Sequence, residues 1–261
     1  MGIREPEDID IEAIAQHCGA TILYKPLFGC EARIMGLDDR AIITVNARSM
    51  PERRRFSAAH ELGHWMKDRG TAAFRCSEQV FVREWSADNP EKRANRFASD
   101  ILLPPKMFRP LAKDCPITFE TVLKLSALFT TSISATAIRL VEYGSYPAML
   151  ICNGAEGRLW FVASSTVEGR FWPVDEPGQW THAAALLSGN SRPQGPQDVR
   201  ADQWIKNFRA DQYWVKEDSV QWSGHTTLSL IWWENERQVI DLDNFDEESG
   251  SWRSDGRRNW D

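Results

Sequence analysis

The chain has 261 residues, 42% of them hydrophobic, enough for a sizeable core in one large domain or two modest ones. Its formal net charge of -6 supplies no global basic field for gripping nucleic acid, although a local basic patch stays open. The five cysteines are scattered with no CxxC pair, which argues against a disulfide framework or a thiolate zinc finger and for a reducing compartment.

The N-terminus, Met1 to Pro6, lacks the apolar stretch of a secretory signal. No apolar run approaches the ~20 residues needed to span a bilayer, so a cytoplasmic protein with no membrane contact is expected. Asp8 is placed to cap a helix over Ile9–Cys18, which Gly19 stops. Three short strand-like runs follow, Thr21–Tyr24, Ala32–Met35 and Ala41–Val45, punctuated by Pro26, Gly29, Gly36, Asp38 and Asp39. They predict a small antiparallel sheet.

Pro51 then opens a strongly helical stretch to about Asp68. Residues 70–88 read as loop with one strand candidate, Gln79–Arg83. Asn89 suits an N-cap and Pro90 the first helical position of a helix that ends at Pro104-Pro105.

Residues 118–142 predict two helices around a break at Phe129-Thr130-Thr131, with Thr118 capping the first. Lys124 and Arg139 are the only basic residues there, a poor grip on phosphate, so the pair reads as structural rather than as a DNA reader. Tyr143–Pro147 is a linker. Beyond it the composition changes: ten of the 12 tryptophans lie at or after Trp160. Strand-like runs recur at Ala148–Cys152, Arg158–Ala163, Arg170–Val174 and Thr226–Trp233, with a short helix at His182–Leu187. Trp232-Trp233 would put indoles on both faces of one strand, leaving one face for an interface.

The expected architecture is therefore α+β. A domain of helices and a small sheet spans 1–110, and a helical pair with linker spans 111–146. A mainly β, Trp-rich domain spans 147–245, with a sensor or substrate-recognition role, and a disordered tail covers 246–261.

The chemistry lies in His60-Glu61-Leu62-Gly63-His64. On a helix, imidazoles four residues apart share one face and can share one cation. In such an HExxH site the histidines bind zinc and the glutamate works on a water. A peptidase site needs a third protein ligand. His182 and His225 are remote. Lys67 and Gly70 stand where a metzincin needs Gly and His, so a carboxylate is the natural third ligand. The candidates are Asp68, Glu78, Glu84, Asp88, Glu91 and Asp100. Glu91 is favoured because it sits in the first turn of a capped helix whose small Ala94 and Ala98 would allow close approach. Asn95, one turn on, could hydrogen-bond a ligand. Tyr143 and Tyr146 could donate to an oxyanion by residue type, but they read as packing aromatics.

Two segments, Arg55-Phe56-Ser57-Ala58-Ala59-His60-Glu61-Leu62-Gly63-His64 and Glu91-Lys92-Arg93-Ala94-Asn95-Arg96-Phe97-Ala98, together resemble the ImmA/IrrE metallo-endopeptidases. The family pattern is an RFxxAHELGH helix followed some thirty residues later by an ExxANxFA helix. The resemblance covers about residues 9–142. It implies zinc held by His60, His64 and Glu91, with Glu61 as general base. It further implies cleavage of a helix-turn-helix transcriptional repressor, which derepresses stress-response or mobile-element genes. Manganese or another divalent metal could occupy the same donors. Two alternatives stay open: a non-catalytic binding or regulatory protein that keeps the zincin fold, and a peptidase with a different protein substrate.

Overall fold

The computed structural model describes residues 2–67, 89–190 and 195–249, which fall into two compact units. Unit 1 comprises residues up to Leu111 together with Lys124–Thr136. Unit 2 comprises Ala112–Leu123 and the chain from Ala137 onward.

In unit 1, helix α1 spans Ile11–His17. Asp10, not Asp8, is its N-cap and accepts from Glu12 N and Ala13 N. Asp8 instead closes a 3-10 turn over Pro6–Asp8, where its carboxylate accepts from Arg4 N and Glu5 N. Gly19 ends the helix in the left-handed region, at φ +79. Three strands follow: β1 (Ala20–Lys25), β2 (Ala32–Leu37) and β3 (Arg40–Asn46).

Their order is β1-β3-β2, and the sheet is mixed rather than antiparallel. β2 and β3 form a hairpin, and β1 joins the other edge of β3 in parallel register, Ala20 opposite Ala41. Alternating burial follows this pairing: Ala41, Ile43 and Val45 point inward, while Met35 and Ile42, opposite one another, stay exposed.

Helix α2 (Pro51–Lys67) packs on β2 and β3 and against α3 (Pro90–Leu102). From Ser57 to Trp65 α2 is buried on every side, so it is a core helix. The basic run at its start is engaged locally. Arg53 lies 4.0 Å from Glu31, Arg54 stacks over Tyr24, and Arg55 donates to Ile9 O. Helix α4 (Pro105–Ala112) follows α3, and Phe108 packs on Phe129.

Helices α5 (Phe119–Phe129) and α6 (Ile133–Tyr143) form the expected pair, bent by 110°. Thr118 Oγ1 accepts from Thr121 N, as its capping position predicts. Arg139 is only 2% exposed; it pairs with Glu142 and stacks over Tyr143, so it presents no charge to a nucleic acid.

Unit 2 centres on a five-stranded antiparallel sheet in the order β5-β4-β8-β7-β6. Its strands are β4 (Ala148–Gly154), β5 (Gly157–Ala163), β6 (Gln197–Arg200), β7 (Trp214–Gln221) and β8 (Thr227–Trp232). Helix α7 runs His182–Leu187 and α8 runs Glu236–Ser249. The core on one face gathers Met149, Ile151, Phe171, Trp204, Ile231 and Trp233.

Several expectations for this region change. Arg170–Val174 is no strand: only Pro173 forms a bridge, to Ile205, because a proline cannot sustain a ladder. Trp232 and Trp233 do alternate faces, but both are buried, at 3% and 0%, so neither marks an open interface. Helix α8 carries order through 246–249 of the expected tail. The rest of that tail, and the strand expected at Gln79–Arg83, lie outside the described residues. No single helix among the described residues is long and apolar enough to cross a membrane.

Candidate metal centre

Two sequence features bring α2 and α3 together. Asn89 is the N-cap of α3, its Oδ1 accepting from Glu91 N at 2.9 Å, and Pro90 occupies the first turn. Glu91 is thereby fixed on a rigid helix start. Facing it, Gly63 lies against Ala94. A Cβ added at Gly63 would sit 2.9 Å from Ala94 Cα and 3.1 Å from Ala94 O. Glycine inside a helix costs about 1 kcal/mol relative to alanine, and here the cost permits backbone-to-backbone approach. Ala94 and Ala98 are fully buried along the same seam.

That approach places three potential ligands in one cluster. His60 Nε2 is 3.1 Å from Glu91 Oε2, and His64 Nε2 is 3.4 Å from Glu91 Oε1. The two Nε2 atoms are 3.1 Å apart. No other group of three or more metal-ligating side chains converges in this way among the described residues. Asn95 Oδ1 lies 2.8 Å from His60 Nδ1. An amide oxygen only accepts, so Nδ1 carries a proton, and it is Nε2 that would offer its lone pair to a bound metal. Glu61, adjacent in sequence to His60, is fully buried. In the metal-free arrangement, N–H donation from the two imidazoles, His60 foremost, holds the Glu91 carboxyl well below the ordinary carboxylate range.

This donor set fits a divalent metal. Bonds of about 2.0–2.1 Å in a tetrahedral site place ligand atoms roughly 3.3 Å apart; here the two imidazole Nε2 atoms are 3.1 Å apart, each imidazole meets a different Glu91 oxygen at 3.1 and 3.4 Å, and one ligand atom from each of the three residues lies within 4.8 Å of the others. Lone pairs of a neutral imidazole and a carboxylate repel at 3.1 Å unless a cation or a shared proton lies between them. Two imidazoles and one carboxylate are a borderline-hard set suited to zinc and also to its neighbours in the first transition row.

The remaining candidate ligands fall elsewhere. Asp100 forms an i,i+4 pair with Arg96 at 3.3 Å and is not in the cluster. Asp68, Glu78, Glu84 and Asp88 lie outside the described residues. Tyr143 carries the Arg139 guanidinium over its ring at 5.2 Å, a packing contact. Phe56, part of the RFxxAHELGH segment although outside HExxH itself, lies beside the site. Its ring centroid is 6.2 Å from that of His60, one helical turn away, and the four-residue spacing is the signal that could have marked it.

A cluster of two helix-borne histidines and a glutamate from a second helix, beside a small sheet, defines a zincin-like domain of metallopeptidase type. Residues 15–141 match the family model of the IrrE N-terminal-like domain, Peptidase_M78, consistent with an ImmA/IrrE family protein. A solved structure described as a Mycobacterium tuberculosis transcriptional regulator is similar in fold. The likeness covers 88% of this chain and 72% of that one, at 14% identity and a TM-score of 0.55. No curated protein matches the chain.

Proposed function

We propose that the protein is a zinc-dependent endopeptidase of the cytoplasm whose substrate is a helix-turn-helix transcriptional repressor. Its cleavage would derepress stress-response or mobile-element genes. The observation that carries this reading is the convergence of His60, His64 and Glu91 to separations of 3.1–3.4 Å beside the buried Glu61.

His60, His64 and Glu91 would hold the metal. A bound divalent ion supplies Lewis acidity to a water and to the scissile carbonyl. Glu61 takes the proton from that water as oxygen adds to the carbonyl carbon. It returns the proton to the amide nitrogen as the C–N bond breaks, freeing a carboxylate and an amine. Asn95 fixes the tautomer and tilt of His60. Gly63 and Ala94 set how closely the two ligand-bearing helices approach.

The test incubates zinc-loaded protein with candidate repressors, beginning with any encoded beside it, and reads fragments by mass spectrometry. Cleavage that disappears in Glu61→Gln while zinc is retained supports the reading. Equal cleavage by Glu61→Gln, or repressor captured but never cut by fully zinc-loaded wild type, turns it toward a regulator that binds without hydrolysis.

A further inference from the structure

The three-stranded sheet of unit 1 carries α2 on one face, and the described residues leave apolar side chains exposed on the other. Strand register fixes which side chains share that outer face. Ile42, on the central strand, stands between Met35 of β2 and Thr21 of β1, and Thr44 stands between Arg33 and Leu23. Leu37 and Arg40 close one end, and Lys25 lies beside Asn46 at the other. Met35, Leu37 and Ile42 are 63%, 77% and 46% exposed, a concentration of apolar surface that marks a contact site.

The face is polarised along its strands. Arg33 and Lys25 stand at the end where β2 begins and β1 stops. At that same end Arg48, just past β3, lies over the Phe28 ring at 5.4 Å. No ion pair among the described residues engages Lys25 or Arg33. Glu31, the acid preceding β2, accepts from Ser49 Oγ at 2.5 Å and lies 4.0 Å from Arg53. Asp38 and Asp39 form the turn at the opposite end, next to Arg40.

Three strands of six or seven residues make a face of roughly 14 Å by 20 Å. An α-helix of about 13 residues is about 20 Å long and 10–12 Å wide, so the face matches one helix. Two copies packed face to face would share a plane of only about 300 Å², well below the ~800 Å² per partner of a stable interface. Anionic membranes are gripped by clusters of about 4–8 cations, more than this rigid sheet end presents. We infer that the outer face docks one amphipathic helix of a partner protein. The helix lays an apolar stripe on Met35, Leu37 and Ile42, and its acidic end meets Lys25, Arg33 and Arg48. Apolar burial supplies affinity and the charges supply orientation. Under the peptidase reading, on which the partner's identity rests, the helix belongs to the repressor and lies away from the bond that is cut. Because α2 lies on the sheet's other face, docking and cleavage occupy separate surfaces.

The experiment uses the full chain and fluorescein-labelled peptides of about 14 residues, stapled because isolated helices this short are marginal in water. All carry one Leu stripe. One has Glu beside the stripe at one end, a second has Lys there, and a third has the stripe broken by Ser. Binding is read by fluorescence polarisation at low and high salt. Met35→Thr and Ile42→Thr remove apolar surface while keeping a strand-forming residue, and Arg33→Glu reverses one charge. Circular dichroism verifies each variant, and either Thr variant alone carries the test if the other misfolds.

Wild type is expected to bind the Glu peptide at least ~10-fold more tightly than the Lys peptide, and less tightly as salt rises. Each Thr variant weakens binding of the Glu peptide by ~10-fold, and Arg33→Glu erases or reverses the preference for Glu over Lys. Equal binding of all three peptides, no binding at all, or Thr variants that bind like wild type overturns the inference. So does a dimer in sedimentation that Met35→Thr dissolves, which gives the face to a second copy. Adsorption to phosphatidylglycerol vesicles that the same variants abolish, without peptide preference, gives it to lipid and likewise overturns it. If zinc-loaded wild type cuts no repressor, the peptidase reading fails separately, and selective peptide capture still upholds the docking face. Where a repressor is cut, Met35→Thr and Ile42→Thr raise KM and leave kcat unchanged.

Discussion

Gly63→Ala is a sharp test of how the two helices hold the candidate centre. In an ordinary helix this change stabilises by up to ~1 kcal/mol. Here the new methyl would lie 2.9 Å from Ala94 Cα, 3.1 Å from Ala94 O and 3.2 Å from Phe97 Cδ1. Two of these neighbours are backbone and cannot rotate away. Restoring a ~3.5 Å contact requires α3 to retreat by about half an ångström or more, at an overpacking cost of ~1–3 kcal/mol. The net effect on the metal-free protein is thus small to moderate destabilisation, ~0–3 kcal/mol.

The larger consequence falls on ligand geometry, because Glu91 rides on α3 and metal bonds tolerate only about ±0.2 Å. Zinc affinity should drop at least ~10-fold, as it does when a site's supporting contacts are lost. Competition titration against a chromophoric chelator measures the affinity. Thermal unfolding with and without zinc gives an independent reading, since a 100-fold weaker site forfeits ~2.7 kcal/mol of ligand-linked stabilisation at excess metal. A variant whose metal-free form melts higher than wild type and whose zinc affinity is unchanged would refute the idea that this contact sets the site.

Further outcomes follow from the same geometry. Asn95→Ala should weaken zinc binding ~10–100-fold by freeing the His60 ring, whereas Asn95→Asp, which keeps an acceptor at Nδ1, should retain tight binding; chelator competition separates them. Zinc affinity should fall as the solution is acidified, because protons compete with the metal for the imidazole and carboxylate ligands, and isothermal titration at a series of pH values reads this directly. In unit 2, burial raises the Asp218 pKa above its ordinary 3.8, with Phe119 N partly opposing. A carboxyl whose folded pKa is raised costs stability once pH rises through the window from that ordinary value to the folded one. Asp218→Asn can still accept from Phe119 N, so it should raise stability at pH 7 and leave it unchanged at pH 3, as followed by urea unfolding at the two pH values.

The His60, His64 and Glu91 cluster was legible in the sequence because its determinants are local. Imidazoles four apart on one helix, and a carboxylate held by the Asn89 cap of another, need no knowledge of the rest of the chain. What escaped depended on distant partners. Strand direction is one such feature: β1 reads only as a short apolar strand-like run, and only its pairing with β3 decides that it runs parallel. Strand β7 is another. Lys216-Glu217-Asp218 reads as surface, yet Glu217 is fully buried. Its carboxylate accepts from Ala183 N, 34 residues away, from Gln197 Nε2, 20 away, and from Ser219 Oγ. Asp218, on the opposite face, accepts from Phe119 N at a separation of 99 residues. Buried acids of this kind are tolerable only when fully bonded, so the polar run that hid the strand is itself a product of the tertiary fold. Adjacent carboxylates on β7 thus anchor two different helix starts, α5 through Asp218 and α7 through Glu217. A single residue slip of that strand would exchange their faces and leave both acids buried without their partners.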